Sequence, residues 1–184
     1  QLWRVDVCSA DPGAWRVSYF EKPLFTAKDA SGTALPITGA PEFRFHRLGG
    51  IVVNVVTGKS VTSDDFPNGS RTNGMFGIWD KPAFAVIDEA TDMEDALPRD
   101  LSDLEERELH NVGTDTQTRY LTGDAIDWNT KLGWYFFFNV NSEMGLNNLT
   151  IANDQVLTVT VSPAPPKTGA ATDACSDTPV ARLL

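Results

Sequence analysis

The stretch from Gly50 to Asp80 constrains the fold of this chain more than any other. An apolar, β-branched run (Ile51, Val52, Val53, Val55, Val56) stops at the turn Thr57-Gly58-Lys59. A polar, glycine-bearing loop follows, and a second short apolar run, Met75-Phe76-Gly77-Ile78-Trp79, closes on Asp80-Lys81-Pro82. β-Branched and aromatic runs bounded by turn residues read as strand, turn, loop, strand. The stretch contains no paired nucleophile and base and no metal-ligand cluster, so the most informative feature of the chain points away from an enzyme.

The same rhythm continues through most of the 184 residues. Strands are predicted at 2–7, 15–19, 24–28, 41–46, 50–56, 75–79, 117–122, 133–139 and 155–161. Leu157 to Val161 alternates with period two, as a half-buried strand does, and Gly133 to Phe138 is apolar on both faces, as a fully buried strand is. Turn signals recur every ten to fifteen residues, among them Asp11-Pro12-Gly13, Leu48-Gly49-Gly50, Pro67-Asn68-Gly69 and Gly123-Asp124. Many short strands with this punctuation predict an all-β chain of antiparallel sheets: a sandwich, barrel or propeller. Two segments break the rhythm. Residues 86–112 are acidic and read as an insertion or loop, in which Ser102 and Glu105 have capping-box spacing for a short helix over 102–110. Residues 162–179 are rich in Pro, Ala and Thr and read as an exposed loop.

Charge and cysteine content narrow the function. The net charge is −10, with no cluster of Lys and Arg, which excludes binding to nucleic acid through its phosphates. No apolar run reaches the ~18 residues of a membrane-spanning helix, and no signal peptide is visible. The chain opens on Leu2-Trp3-Arg4-Val5-Asp6-Val7 and closes on Val180-Ala181-Arg182-Leu183-Leu184, two strand-like runs that suggest a segment of something longer. Such end strands are unpaired unless they meet each other or another copy, which raises self-association through open strand edges. Cys8 and Cys175 are a candidate disulfide joining the two ends, or two unrelated thiols; sequence does not supply the geometry that decides.

Several phrases together resemble the PilY family of type IV pilus proteins. They are Leu2-Trp3-Arg4-Val5-Asp6, Trp15 with Lys22-Pro23-Leu24-Phe25-Thr26-Ala27, Pro36-Ile37-Thr38-Gly39-Ala40-Pro41-Glu42, Gly58 with Gly77-Ile78-Trp79-Asp80, Gly133-Trp134-Tyr135, and Asp173-Ala174-Cys175-Ser176. Each is weak alone; six in collinear order across nearly the whole chain carry the likeness. The resemblance implies a fragment, about two to three blades, of a modified β-propeller, in which Gly58, Gly77, Ile78, Trp79, Asp80, Gly133 and Trp134 form the structural motif. It implies a non-enzymatic role at a bacterial pilus tip, outside the cell, in pilus assembly, twitching motility and adhesion. The implied partners are minor pilins and a host or abiotic surface. It also favours a strand over a helix at 107–112. Family members bind calcium through an Asp-rich loop, but no Asp-x-Asp-x-[Asp/Asn]-Gly pattern occurs here, so no metal ligands are assigned and calcium is expected only in the parent protein.

The remaining chemistry-bearing residues read as structural. His46 on a presumed strand has no nucleophile beside it and is expected to be an exposed polar residue, and His110 is expected to pair with its acidic neighbours. No Gly-x-Ser-x-Gly elbow and no phosphate loop are present, so no catalytic or cofactor-binding residue is assigned. The five tryptophans (Trp3, Trp15, Trp79, Trp128, Trp134) are expected to pack between sheets, with Trp79 and Trp134 buried beside Gly77 and Gly133. Two alternatives stay open: a fragment of a quinoprotein-like propeller dehydrogenase, and a carbohydrate-binding β module with tryptophans facing solvent.

Overall fold

The computed structural model describes residues 1–61, 65, 72–81, 97–98, 100–152, 155–162 and 180–184. Among these, strands dominate: β1 (Val5–Asp6), β2 (Arg16–Val17), β3 (Glu42–Phe45), β4 (Ile51–Val56), β5 (Gly74–Asp80), β6 (Glu105–Glu106), β7 (Glu108–Val112), β8 (Asp115–Thr122), β9 (Gly133–Phe137), β10 (Met144–Gly145), β11 (Thr150–Ala152), β12 (Gln155–Leu157), β13 (Val159–Ser162) and β14 (Val180–Leu183). Single helical turns stand at Pro12–Ala14, Ser18–Glu21 and Leu101–Asp103.

A five-stranded sheet in the order β3-β4-β5-β9-β6 is the centre of the fold. The Gly50–Asp80 stretch supplies β4 and β5, paired antiparallel from Ile51↔Asp80 to Val56↔Met75. β5 is buried at all seven positions, because both faces of the sheet are covered. On one face Val55, Phe76, Ile78 and Tyr135 pack against Leu2, Leu24, Phe25, Ala27 and Leu35 of the N-terminal segment. On the other, Val56, Met75 and Phe136 pack against Leu109, Phe138 and Leu149. A strand buried on both faces must be apolar throughout rather than alternating, and Met75-Phe76-Gly77-Ile78-Trp79 is so. The smaller sheets are the hairpins β1-β2, β7-β8 and β11-β12 and the three-stranded β10-β13-β14.

Several expectations change. The expected strand 15–19 stops at Val17, because Tyr19 and Glu21 take left-handed backbone angles (φ 57° and 65°) and turn the chain. Residues 24–28 form isolated bridges, Leu2↔Phe25 and Lys28↔Ala34, rather than a strand. The helix over 102–110 is absent: a single turn at Leu101–Asp103, capped by the Asp100 carboxylate accepting from Ser102 N, gives way to β6 and β7. One pairing is parallel, β6 with β9. Each terminal strand has a partner nearby in its own chain, β1 on β2 and β14 on β13, so the two ends do not pair with one another. Cys8 is exposed, while Cys175 and residues 163–179 lie outside the described residues.

Candidate functional site

The Gly-Ile-Trp-Asp end of β5 gathers three groups of side chains. Asp80, at its last position, is buried, and its carboxylate accepts a 2.8 Å hydrogen bond from Arg4 Nη1 and another from the Tyr19 hydroxyl. Arg4 Nη1 also reaches the Tyr19 oxygen at 3.2 Å. A buried carboxylate is tolerated where charge-assisted bonds replace its water. Burial works against the Arg4 charge, yet Asp80 and Tyr19 more than offset it, and its pKa is raised. Burial and then Asp80 push the Tyr19 phenol far above its usual range, so it stays a donor. The left-handed turn at Tyr19 thus puts its hydroxyl over the strand end and ties the N-terminal segment to the sheet.

Gly77 and Gly133 hold the middle of β5 against β9. A Cβ added at Gly77 would run into the Trp134 indole, whose Cζ2 would lie 2.8 Å away. Gly133, at φ 155°, lies so close to the Gly77 carbonyl oxygen that a Cβ there would overlap it. Trp134 itself is half-buried, not buried as the sequence suggested, because its ring lies flat over Gly77 at the sheet surface, stacked on Phe136 at 6.1 Å. Gly58 is a close approach to a different element: a Cβ there would sit 2.5 Å from the Gly145 carbonyl oxygen of β10.

The third group is aromatic. Trp79 is buried, and its Nε1 donates to the Gly49 carbonyl oxygen at 2.9 Å. Its ring meets His46 (4.4 Å between centroids) and Trp128 (5.6 Å), and His46 in turn meets Trp128 at 4.3 Å. Lys81 Nζ stands 5.1 Å from the Trp79 ring. His46 is therefore half-buried between two indoles rather than an exposed strand residue. Burial, reinforced by Arg47, lowers its pKa, and its Nδ1 accepts from Leu48 N at 3.3 Å. Trp3, ahead of β1, and Trp15, just ahead of β2, are by contrast half exposed, against the expectation of packing. His110 bonds to Thr122 Oγ1 at 2.9 Å and stands 3.2 Å from Glu108, within its own hairpin.

A fourth group has no sequence signal. Arg119 of β8 makes a two-pronged ion pair with Glu143, 2.7 Å on each prong, with both side chains fully buried. Thr160 Oγ1 also donates to Glu143, and Asn73 Nδ2 bonds to the Glu143 carbonyl oxygen at 3.0 Å. The pair is 24 residues apart in sequence and follows no motif. Among the described residues no three of His, Cys, Asp and Glu lie in position to hold a metal ion, so they do not fit the calcium that the resemblance implies for the family.

Fold and site together define an all-β scaffold of the propeller kind, mainly antiparallel sheets in which Asp80, Glu143 and Trp79 tie strands and loops together. Residues 4–97, just over half of the sequence, match the family model described as the PilY1 beta-propeller domain, and the chain belongs to that family. The crystal structure of the Pseudomonas aeruginosa PilY1 C-terminal domain superposes with a TM-score of 0.67 at 26% identity, over 82% of this chain and 33% of that one. Among curated relatives, the type IV pilus biogenesis factor PilY1 of P. aeruginosa PAO1 is 29% identical over 195 aligned residues, 88% of this chain. The PilY1 homolog of Xylella fastidiosa is 25% identical over 139 residues, 73% of this chain. The chain spans 16% and 9% of these two relatives' lengths.

Proposed function

We propose that the chain is a scaffold segment of a type IV pilus biogenesis factor, placed outside the cell at the pilus tip, where its loops contact minor pilins and a surface. The observation that carries this is the collinear likeness to PilY1, 29% identity over 88% of the chain, joined to the shared fold. The use of polar residues supports a role without catalysis. Asp80 is engaged by Arg4 and Tyr19, Glu143 by Arg119 and Thr160, and His46 by two indoles, so each best candidate for acid–base work already serves the fold. In the source bacterium, deleting the gene should abolish surface pili and twitching, and the intact gene should restore both. Immunogold labelling should decorate pilus ends. Normal piliation in the deletion strain would sink the biogenesis reading, and label confined to the shaft would sink the tip placement.

The outward-facing Trp3 and Trp15, each about half exposed (50% and 49%), favour a second reading in which they stack on sugars. Titrating immobilised oligosaccharides against Trp3→Ala and Trp15→Ala decides it: loss of binding in both supports the reading, and no binding by the parent chain ends it.

A further inference from the structure

Strand β3 is, among the described residues, an outer strand of the five-stranded sheet, and it carries an exposed aromatic pair. Phe43 is 55% and Phe45 88% exposed, and their rings meet edge to face at 6.4 Å. The backbone of these two residues points outward as well. His46 N donates to Gly50 O at 3.0 Å, so His46 and Gly50 occupy a hydrogen-bonded position. Hydrogen-bonded and non-bonded pairs alternate in an antiparallel ladder. The pairs Phe45↔Ile51 and Phe43↔Val53 are therefore non-bonded, and their N–H and C=O groups face away from β4. An outer edge whose donors and acceptors have no backbone partner among the described residues is a template for another strand.

The charges on β3 say which strand. Glu42 and Arg44 share one face, and Phe43 and Phe45 share the other. Of the antiparallel registers that keep the faces of a second copy of β3 matched, the two centred on Phe43 and on Arg44 engage the strand most fully. With Arg44 opposite Arg44, like charges stand in the close, non-bonded position, which is destabilising. With Phe43 opposite Phe43, Glu42 of each copy stands opposite Arg44 of the other, twice over, and about four backbone hydrogen bonds form, with Pro41 supplying only its carbonyl. That register is self-complementary in charge, in aromatic contact and in backbone bonding. Arg44 has an interaction of its own within the chain, and a guanidinium's five donors leave room for a second carboxylate.

We propose that two copies of this chain associate through β3, antiparallel and with Phe43 facing Phe43, to form one continuous ten-stranded sheet. The proposal does not rest on the pilus reading. Sedimentation equilibrium of the 184-residue chain should show a concentration-dependent dimer. Glu42→Arg and Arg44→Glu should each raise its dissociation constant about tenfold, since each turns two attractive pairs into repulsive ones. The double variant Glu42→Arg/Arg44→Glu should recover the parent value. An equimolar mixture of the two single variants should recover it too. One variant then carries two positive charges on this face of β3 and the other two negative charges, so both cross-strand pairs of the mixed dimer are attractive. Circular dichroism checks that every variant is folded. A parent chain that stays monomeric overturns the proposal. So does a dimer that both single variants leave intact, or one that neither the double variant nor the mixture restores, since either result places the contact elsewhere.

Discussion

Gly77 and Trp134 offer the sharpest test of how the central sheet is held. In Gly77→Ala, all three heavy atoms nearest the new Cβ belong to the Trp134 indole, the farthest of them at 2.8 Å. The ring must swing off the strand, and overpacking of this kind costs ~1–3 kcal/mol. Trp134→Ala removes a half-buried ring stacked on Phe136, so it should cost ~2 kcal/mol, less than the ~3–5 kcal/mol of a fully buried tryptophan. In the double variant the obstacle is gone, and alanine suits a strand better than glycine by roughly 0.5–1 kcal/mol. The double should therefore be no less stable than Trp134→Ala alone, so the coupling energy should at least equal the cost of Gly77→Ala by itself, ~1–3 kcal/mol. Urea denaturation followed by far-UV circular dichroism, with a common m-value across the four proteins, gives all the numbers. Additive costs, with the double losing the sum of the singles, would refute the idea that Gly77 exists to seat the indole.

Other expectations follow from the same side chains. Trp79→Ala should destabilise by ~3–5 kcal/mol in the same assay, and a loss under ~1 kcal/mol would show that the ring does not bridge the Gly49 turn and Trp128. Arg119→Met should cost ~3–5 kcal/mol by leaving Glu143 buried without its counter-charge, whereas Arg119→Met/Glu143→Leu should recover most of that loss. Equal losses in both would mean that the arginine stem, not the charge, matters. His46 has a lowered pKa in the folded state, so the unfolded chain takes up the proton first as pH falls. Its stability contribution is complete above the ordinary histidine value of about 6.5 and is lost as pH falls through the lower folded value. The drop in melting temperature between about pH 7 and pH 5 should thus be smaller in His46→Phe than in the parent chain, and an identical drop would discount His46 as its source.

The centre of this fold was legible because its signal is local. A β-branched run, a Thr-Gly-Lys turn and an all-apolar run ending in Trp-Asp can form only paired, doubly covered strands, and β4 and β5 are those. Edges and corners were not legible. The turn at Ser18–Glu21 depends on left-handed angles at Tyr19 and Glu21, two residues that carry no such preference, and the Arg4 and Tyr19 bonds to Asp80 are what offset the strain. His46 lies beside exposed Phe45 and reads as exposed too; only the indoles of Trp79 and Trp128, 33 and 82 residues further along the chain, cover it. The Arg119–Glu143 pair is invisible to any pattern search, since its two ends come from separate elements and each looks like an ordinary surface charge. In the other direction, an apolar context misled at Trp3 and Trp15, where burial depends on what covers a strand rather than on the strand.

The burial of β5 on both faces has a consequence for how the chain is made. Its strand neighbours are β4, already synthesised, and β9, which begins at Gly133, 53 residues after Asp80. At ~5–20 residues per second, a ribosome takes about 3–10 seconds to cover that distance. For that interval β5, buried at every position in the finished fold, has one neighbour instead of two. Closing it requires a long loop to be fixed before the β9 contacts compensate for the lost entropy, which is the ordering that slows β-rich chains and exposes them to aggregation. Met75 to Trp79 is thus the segment through which a stalled or truncated chain would aggregate, and the one a holding chaperone would have most reason to grip.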